Sequence, residues 1–243
     1  MSSKSIAAMC CSGLVAIALL WADASSAQPT IDTLPRYNAP TSGTRASARV
    51  AGGINRGNHD ESLSVTVIAP DHTGLTTLAQ PTLYWYASRP IAGTVELTIQ
   101  DEQATQPLLE SKLKLNNQAG LIPVRLSELG VRLSAEHEYR WSIAIVSDAN
   151  QRSRDVVTSG FVKRVAAGDS LRKRLANPSG TDPSGANPVF ALAEEGLWYD
   201  ALAKLSEQID QAPRDEQLRR QRAALLEQIG LPVIAEFDRN SSR

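Results

Sequence analysis

The stretch from Glu138 to Val165, EYRWSIAIVSDANQRSRDVVTSGFVKRV, constrains the fold of this chain more than any other. Tyr139, Trp141, Ile143 and Ile145 alternate with Arg140, Ser142 and Ala144, so one face is apolar and the other small or polar. A period of two marks a strand with one buried face. The polar run SDANQRS then reverses the chain into a second strand carrying Val156, Val157, Phe161 and Val165. The pair reads as a β-hairpin anchored by Tyr139 and Trp141. Gly160, inside the second strand, marks either a bulge or a close backbone approach.

The rest of Ser62–Val165 is punctuated like an all-β domain. Leu63, Val65 and Val67 alternate; Leu83-Tyr84-Trp85-Tyr86 lies between Pro81 and Pro90; Val95, Leu97 and Ile99 alternate. Leu113 and Leu115 precede Asn116-Asn117, and Leu121 to Leu126 supplies a further strand. About seven short strands in such a span predict an immunoglobulin- or fibronectin-like β-sandwich over residues 59–166. Tyr139 follows Leu133 by six residues. Fibronectin type III domains place a tyrosine in this way, its hydroxyl bonded back to the preceding corner. A plain buried strand tyrosine reads equally well. Tyr84 and Tyr86 share one face of their strand, while Leu83 and Trp85 share the other. An exposed tyrosine pair would suit a sugar ring or a partner protein; the plainer reading, preferred here, is that a helical segment covers both rings.

After Val165 the pattern changes. AAGDSLRKRLAN reads as a short helix started by Asp169, with a basic patch at Arg172, Lys173 and Arg174, and NPSGTDPSGANP reads as loop; together they make 167–186 a connector. From Val189 to Gly230 apolar residues recur at helical spacing, so residues 187–237 are expected to form a helical hairpin. Gly196-Leu197 and Gly230-Leu231 stand 34 residues apart, the tetratricopeptide period. Ala201 and Leu205 followed by Pro213 resemble the second helix of such a repeat. There is room for hardly more than one repeat, whereas about three make an independent array. The helices are therefore expected to pack on the sandwich, with Gly196 at the turn and Trp198 as the anchor. The fold class expected is mainly β with a C-terminal helical segment.

Residues 1–27 read as a signal peptide. Lys4 precedes the apolar run IAAMCCSGLVAIALLWA, and Ser25 and Ala27 put small residues where a signal peptidase cuts, before Gln28. A retained anchor is the alternative, but the run is short for a span and no basic stop follows it. Both cysteines, Cys10 and Cys11, lie in the leader. A mature chain would then lack any disulfide, thiol nucleophile or cysteine-ligated metal. Residues 28–58 contain Pro29, Pro35, Pro40 and Gly52-Gly53 and read as a flexible linker, locally basic through Arg36, Arg45, Arg49 and Arg56. Hydrophobic residues make up 42% of the sequence, which is enough for a packed core. The net charge of −1 gives no bias toward nucleic acid or an anionic membrane.

No catalytic constellation stands out. Of the three histidines His59, His72 and His137, the metal-like groupings are His59-Asp60-Glu61 and Asp71-His72; neither has helical or hairpin ligand spacing, and both read as solvated loop residues. There is no G-x-S-x-G, Walker A or G-x-G-x-x-G motif. Glu194, Glu195 and Asp200 flank GLWYDAL and read as helix-surface charge rather than an acid–base pair. No cofactor is implied.

Three stretches, LTTLAQPTLYW (75–85), YRWSIAIVSDANQRS (139–153) and GLWYDAL (196–202), together resemble a bacterial family, domain of unknown function 928. The segment GGINRG (52–57) is similar to that family's glycine-rich lead-in. The resemblance implies an exported β-sandwich followed by helices and carries over no catalytic residue. It also implies a cysteine just after the lead-in and another at position 147; this chain has His59, or a neighbour, and Ser147 there, so both thiols are absent together, as loss of a disulfide pair would leave them. The expected role is a non-catalytic protein–protein interaction module, periplasmic or extracellular, meeting unidentified envelope proteins, with no membrane span after signal cleavage. A glycan-binding module using Tyr84, Tyr86 and Trp198 is one alternative; a hydrolase or metalloenzyme at the sandwich–helix junction is the other.

Overall fold

The computed structural model describes residues 34–40, 49–50, 52–53, 63–115, 118–176 and 187–241. The expected leader, His59 and most of the proline-rich connector lie outside them. Among the described residues, nine strands form two open sheets. The first has the order β1 (Gly52–Gly53), β2 (Ser64–Val67), β4 (Thr82–Ala87), β7 (Gly120–Arg125), antiparallel throughout. The second runs β3 (Gly74–Thr76), β9 (Val156–Arg164), β8 (Glu138–Val146), β5 (Thr94–Asp101), β6 (Leu109–Leu113). Only β3 is parallel to its neighbour.

The hairpin that dominates the sequence is β8–β9, in continuous register from Glu138 opposite Lys163 to Ile145 opposite Val156. That register runs through Gly160 without a bulge. A Cβ at Gly160 would lie 2.7 Å from Ala69 Cβ, so the glycine serves a close approach of the chain at the end of β2. Tyr139, Trp141, Ile143 and Ile145 are all buried, as are Val95, Leu97 and Ile99 of β5. The Thr158 hydroxyl joins the sheets where β2 meets β9: it accepts from Val67 N–H at 3.0 Å and donates to Val50 C=O at 2.6 Å. A buried polar group with both capacities used costs little, and it fixes the sheets' relative position.

Five helices follow among the described residues: α1 (Asp169–Ala176), α2 (Pro188–Glu194), α3 (Trp198–Gln211), α4 (Glu216–Gln228) and α5 (Pro232–Asn240). Helix and strand take about 31% and 30% of the described residues, so the fold is mixed rather than mainly β. The extra helix comes from 187–237, which forms four helices instead of the expected hairpin. Asn187 caps α2, accepting from Val189 N–H, and Pro188 opens it without wasting a donor. Asp215 caps α4 through Gln217 and Leu218 N–H. The 34-residue spacing reappears as geometry. Leu197 N–H reaches Leu192 C=O and Gly196 N–H reaches Ala193 C=O; 34 residues on, Leu231 reaches Leu226 and Gly230 reaches Glu227. Gly196 and Gly230 sit at φ 74° and 75°, the left-handed stop of a helix that glycine takes without a Cβ penalty. The pair α2–α3 is thus followed by α4–α5 with the same joint.

The described residues form one compact unit, and one apolar cluster runs through both sheets and the helices. Part of the expected flexible linker is docked. Tyr37 is buried, its ring edge-on to Trp198 at 5.2 Å, and its N–H donates to Gln228 Oε1, whose Nε2 donates back to Pro35 C=O. Asn38 N–H donates to Ala193 C=O. Arg49 donates to both Ala69 and Ile229 carbonyls. Residues 34–40 are therefore a strap across the helical joints, because their backbone finds partners there that a solvated tether would lack.

Candidate functional site

The junction between sheets and helices, one expected place for chemistry, is instead filled by groups that satisfy one another. Trp198, at the start of α3, is fully buried and donates Nε1–H to Ile68 C=O at 3.1 Å. Tyr199 Oη accepts from Trp141 Nε1–H at 2.9 Å and donates to Phe161 C=O at 2.9 Å, sewing α3 to β8 and β9. Asp200 corrects the sequence reading: it is buried rather than part of a solvated helix surface. Its carboxylate accepts from Thr76 Oγ1, from Thr77 N–H at 2.8 Å and from Thr77 Oγ1 at 2.6 Å. Burial pushes its pKa above the usual carboxylate value, and the three bonds oppose that rise. Between α3, α4 and α5, Arg222 holds Asp238 in a bidentate pair of 2.9 and 2.5 Å and donates a further bond to Ser206. Asp200, Arg222 and Asp238 are all buried, and each is engaged by neighbouring side chains.

Tyr84 and Tyr86 do not form an exposed strip. Both are buried, at 7% and 5% exposure, on the helix-facing side of β4. Tyr86 meets Phe237 of α5 edge-on at 5.2 Å, and burial raises the Tyr84 hydroxyl above its usual pKa, with Ser206 of α3 opposing the rise. Their strand-mate Trp85 is buried on the opposite face, and Trp198 is equally inaccessible, so the aromatic glycan site has no surface to act from. Tyr139 accepts Ser134 N–H on its hydroxyl at 3.0 Å, closing the corner before β8. Gly196 is in contact with the strap: a Cβ there would stand 2.8 Å from Asn38 C=O. His72 pairs with the Tyr37 hydroxyl at 2.8 Å and His137 with Asp101 at 2.9 Å. Among the described residues no group of three His, Cys, Asp or Glu side chains could hold a metal ion. Ser147 is exposed just past β8, and its expected neighbour near position 59 lies outside the described residues.

Among the described residues, an open margin is formed by β6 and β7, the last strands of their sheets. Between them runs a cleft of about 420 Å³. Leu113, Leu115 and Leu129 give it an apolar floor, each half-buried against the core. Lys112, Lys114 and Arg125 give it a basic rim, with Arg125 paired to Glu128 at 3.5 Å. A second, more polar cleft of about 360 Å³ lies on the outer face of the same strand, lined by Glu96, Thr98, Glu110 and Arg152. Arg152 grips Glu96 with two bonds, of 3.2 and 2.6 Å, and holds that carboxyl below its usual pKa. An edge strand offers unpaired N–H and C=O groups to another strand. This one also has pockets on both faces for alternate side chains, the arrangement by which sheet edges take extended peptides. The sequence marks Leu113 and Leu115 ahead of Asn116-Asn117, but neither the strand from Leu109 nor an outer edge that no described strand pairs could be read from it.

The profile of the family described as Domain of Unknown Function (DUF928) matches residues 51–238, more than half of the chain. The chain belongs to the DUF928 family. The matched span takes in every sheet of this DUF928 chain and nearly all of its helices. A search of the curated proteins returned no match. Among solved structures, the crystal structure of a multi-domain immunophilin from Arabidopsis thaliana aligns at 6% identity, over 84% of this chain and 99% of that one, with a TM-score of 0.20. That score carries no inference for the DUF928 fold. Among the described residues no helix is long and apolar enough to cross a membrane.

Proposed function

We propose that this DUF928 chain is a non-catalytic protein–protein interaction module of the bacterial cell envelope that takes an extended segment of its partner along β6. The carrying observation is the β6 edge, which no described strand pairs, with its apolar-floored, basic-rimmed cleft. In the same reading the strands are an immunoglobulin- or fibronectin-like sandwich, which the Tyr139 corner bond supports, and the helices a tetratricopeptide-like pair of hairpins, which the repeated glycine joint supports. Export rests on the leader-like residues 1–27.

The test is a photo-crosslinking residue at Lys114, on the cleft rim, and another at Val233, 74% exposed on α5, in the chain expressed in its own cells. A defined protein adduct at position 114, absent at 233 and found outside the cytoplasm, is the expected result. Equal labelling at both positions would remove the cleft from the proposal, and a purely cytoplasmic chain would remove the envelope.

A further inference from the structure

Resting on that reading of the β6 edge, we infer that its partner is a second copy of the chain, joined β6 to β6 in antiparallel register about Ser111. β6 reads Leu109-Glu110-Ser111-Lys112-Leu113, a sequence that a two-fold axis maps onto its own complement. With Ser111 facing Ser111, Leu109 stands opposite Leu113 and Glu110 opposite Lys112, and each pairing occurs twice, as a closed two-fold interface requires. The faces agree with this register. Leu109, Ser111 and Leu113 are half-buried, while Glu110 and Lys112 are exposed on the outer face. Neither Glu110 nor Lys112 makes an ion pair among the described residues, so the pairing breaks nothing already formed.

The strand beyond extends the pattern. Glu96 of β5 lies opposite Lys112 and Thr98 lies opposite Glu110. Across the joined sheets a row would therefore read Arg152, Glu96, Lys112 and then Glu110 of the second copy, alternating in sign throughout. Opposite charges directly across a strand pair stabilise it and like charges destabilise it. An edge lysine alone usually keeps other strands away. Here the glutamate two residues earlier, on the same face, turns that repulsion into a selective fit for this sequence. The joined sheet would have ten strands, and the apolar cleft floor at Leu113 would gain Leu109 of the second copy as cover.

The experiment is a charge swap in the full chain, read by sedimentation velocity. Glu110→Lys gives like charges across the axis, as does Lys112→Glu, and each alone should weaken self-association roughly tenfold or more. Mixed together the two variants become complementary, and they should form a heterodimer at least as tight as the wild type. Because both positions are exposed, each variant should keep its fold, checked by circular dichroism. The register is read separately with Cys10 and Cys11 replaced by Ser. Ser111→Cys should then oxidise to a disulfide-linked dimer, since directly opposed Cα atoms lie about 4.5–5.5 Å apart. Glu110→Cys and Lys112→Cys should not, because the thiols would stand a diagonal step apart, roughly 7–8 Å. A wild type that stays monomeric at ~0.5 mM, or swaps that leave association unchanged, overturns the inference. If crosslinks from Lys114 instead reach a different protein while the chain stays monomeric, the interaction module stands and the second copy as its partner does not.

Discussion

Gly196→Ala and Gly230→Ala make the same chemical change at two equivalent joints, and the structure assigns them different costs. Each glycine ends a helix at a left-handed φ, 74° and 75°, so each alanine meets the same backbone penalty, about 1–2 kcal/mol. Each also narrows the unfolded chain by the same amount, which cancels in the comparison. The surroundings differ. At Gly230 the nearest atom to the new Cβ is the end of the Arg49 side chain at 3.7 Å, an ordinary contact. At Gly196 it is the Asn38 carbonyl at 2.8 Å, with Pro40 Cγ at 3.3 Å. Backbone cannot swing aside as a side chain can, so the strap has to lift. Lifting it breaks the Asn38 N–H bond to Ala193 and the Asn38 Nδ2 bond to Glu194, each contributing about 0.5–1.5 kcal/mol. Gly196→Ala should therefore cost about 1–3 kcal/mol more than Gly230→Ala. Urea unfolding followed by tryptophan fluorescence measures both, provided the slope is unchanged. Equal costs, within about 0.5 kcal/mol, would show that the strap is not seated at this joint in solution.

Asp200 gives a pH dependence with a definite sign. Its folded pKa lies above the unfolded value, so the folded state holds the proton longer; the stability it contributes is full at low pH and falls as pH rises from the ordinary carboxylate range through the raised value. Asp200→Asn should remove that fall, and parallel pH profiles of wild type and variant would refute the assignment. Arg222→Met should cost about 3–5 kcal/mol in thermal or urea unfolding, because it strands the buried Asp238 carboxylate, and Arg219, at 3.9 Å, is too distant to replace the lost bonds. Adding Asp238→Leu should restore part of the loss; a double variant no better than the single would mean that the pair is not the source of the cost.

What could be read in the sequence was what depends on local period. The β8–β9 hairpin shows in the alternation from Tyr139 to Ile145, because one face of that strand is core. The 34-residue spacing of Gly196 and Gly230 shows because each helix joint needs a left-handed residue at the same place. The features that were missed depend on contacts far along the chain. β3 is three residues long and pairs in parallel with β9 some ninety residues away, so no local pattern announces it. Asp200, in the first turn of α3, looks like an ordinary acidic residue favoured by a helix N-terminus. Only the arrival of Thr76 and Thr77 buries it. Tyr37 sits in a proline-rich run whose composition suggests a tether, and its partners Gln228 and Trp198 lie well over a hundred residues away. Of β6 only Leu113 was marked, ahead of Asn116-Asn117; that no described strand pairs its outer edge depends on how the whole sheet is ordered.

The strap also fixes an order of events in folding. Its bonds to Gln228 span 191 and 193 residues, and Asn38 reaches across 156 to Glu194. Closing so long a loop is entropically unfavourable until the helical joints that receive it already exist. Among the described residues, the segment nearest the start of the chain is then the last to settle. Interactions absent from the transition state act on how long the native state survives, not on how quickly it is reached. The extra cost of Gly196→Ala should accordingly lie in a faster unfolding limb, with refolding left at the rate of the matched Gly230 variant. The strap should therefore act as a latch on the finished molecule, lengthening its lifetime rather than speeding its assembly.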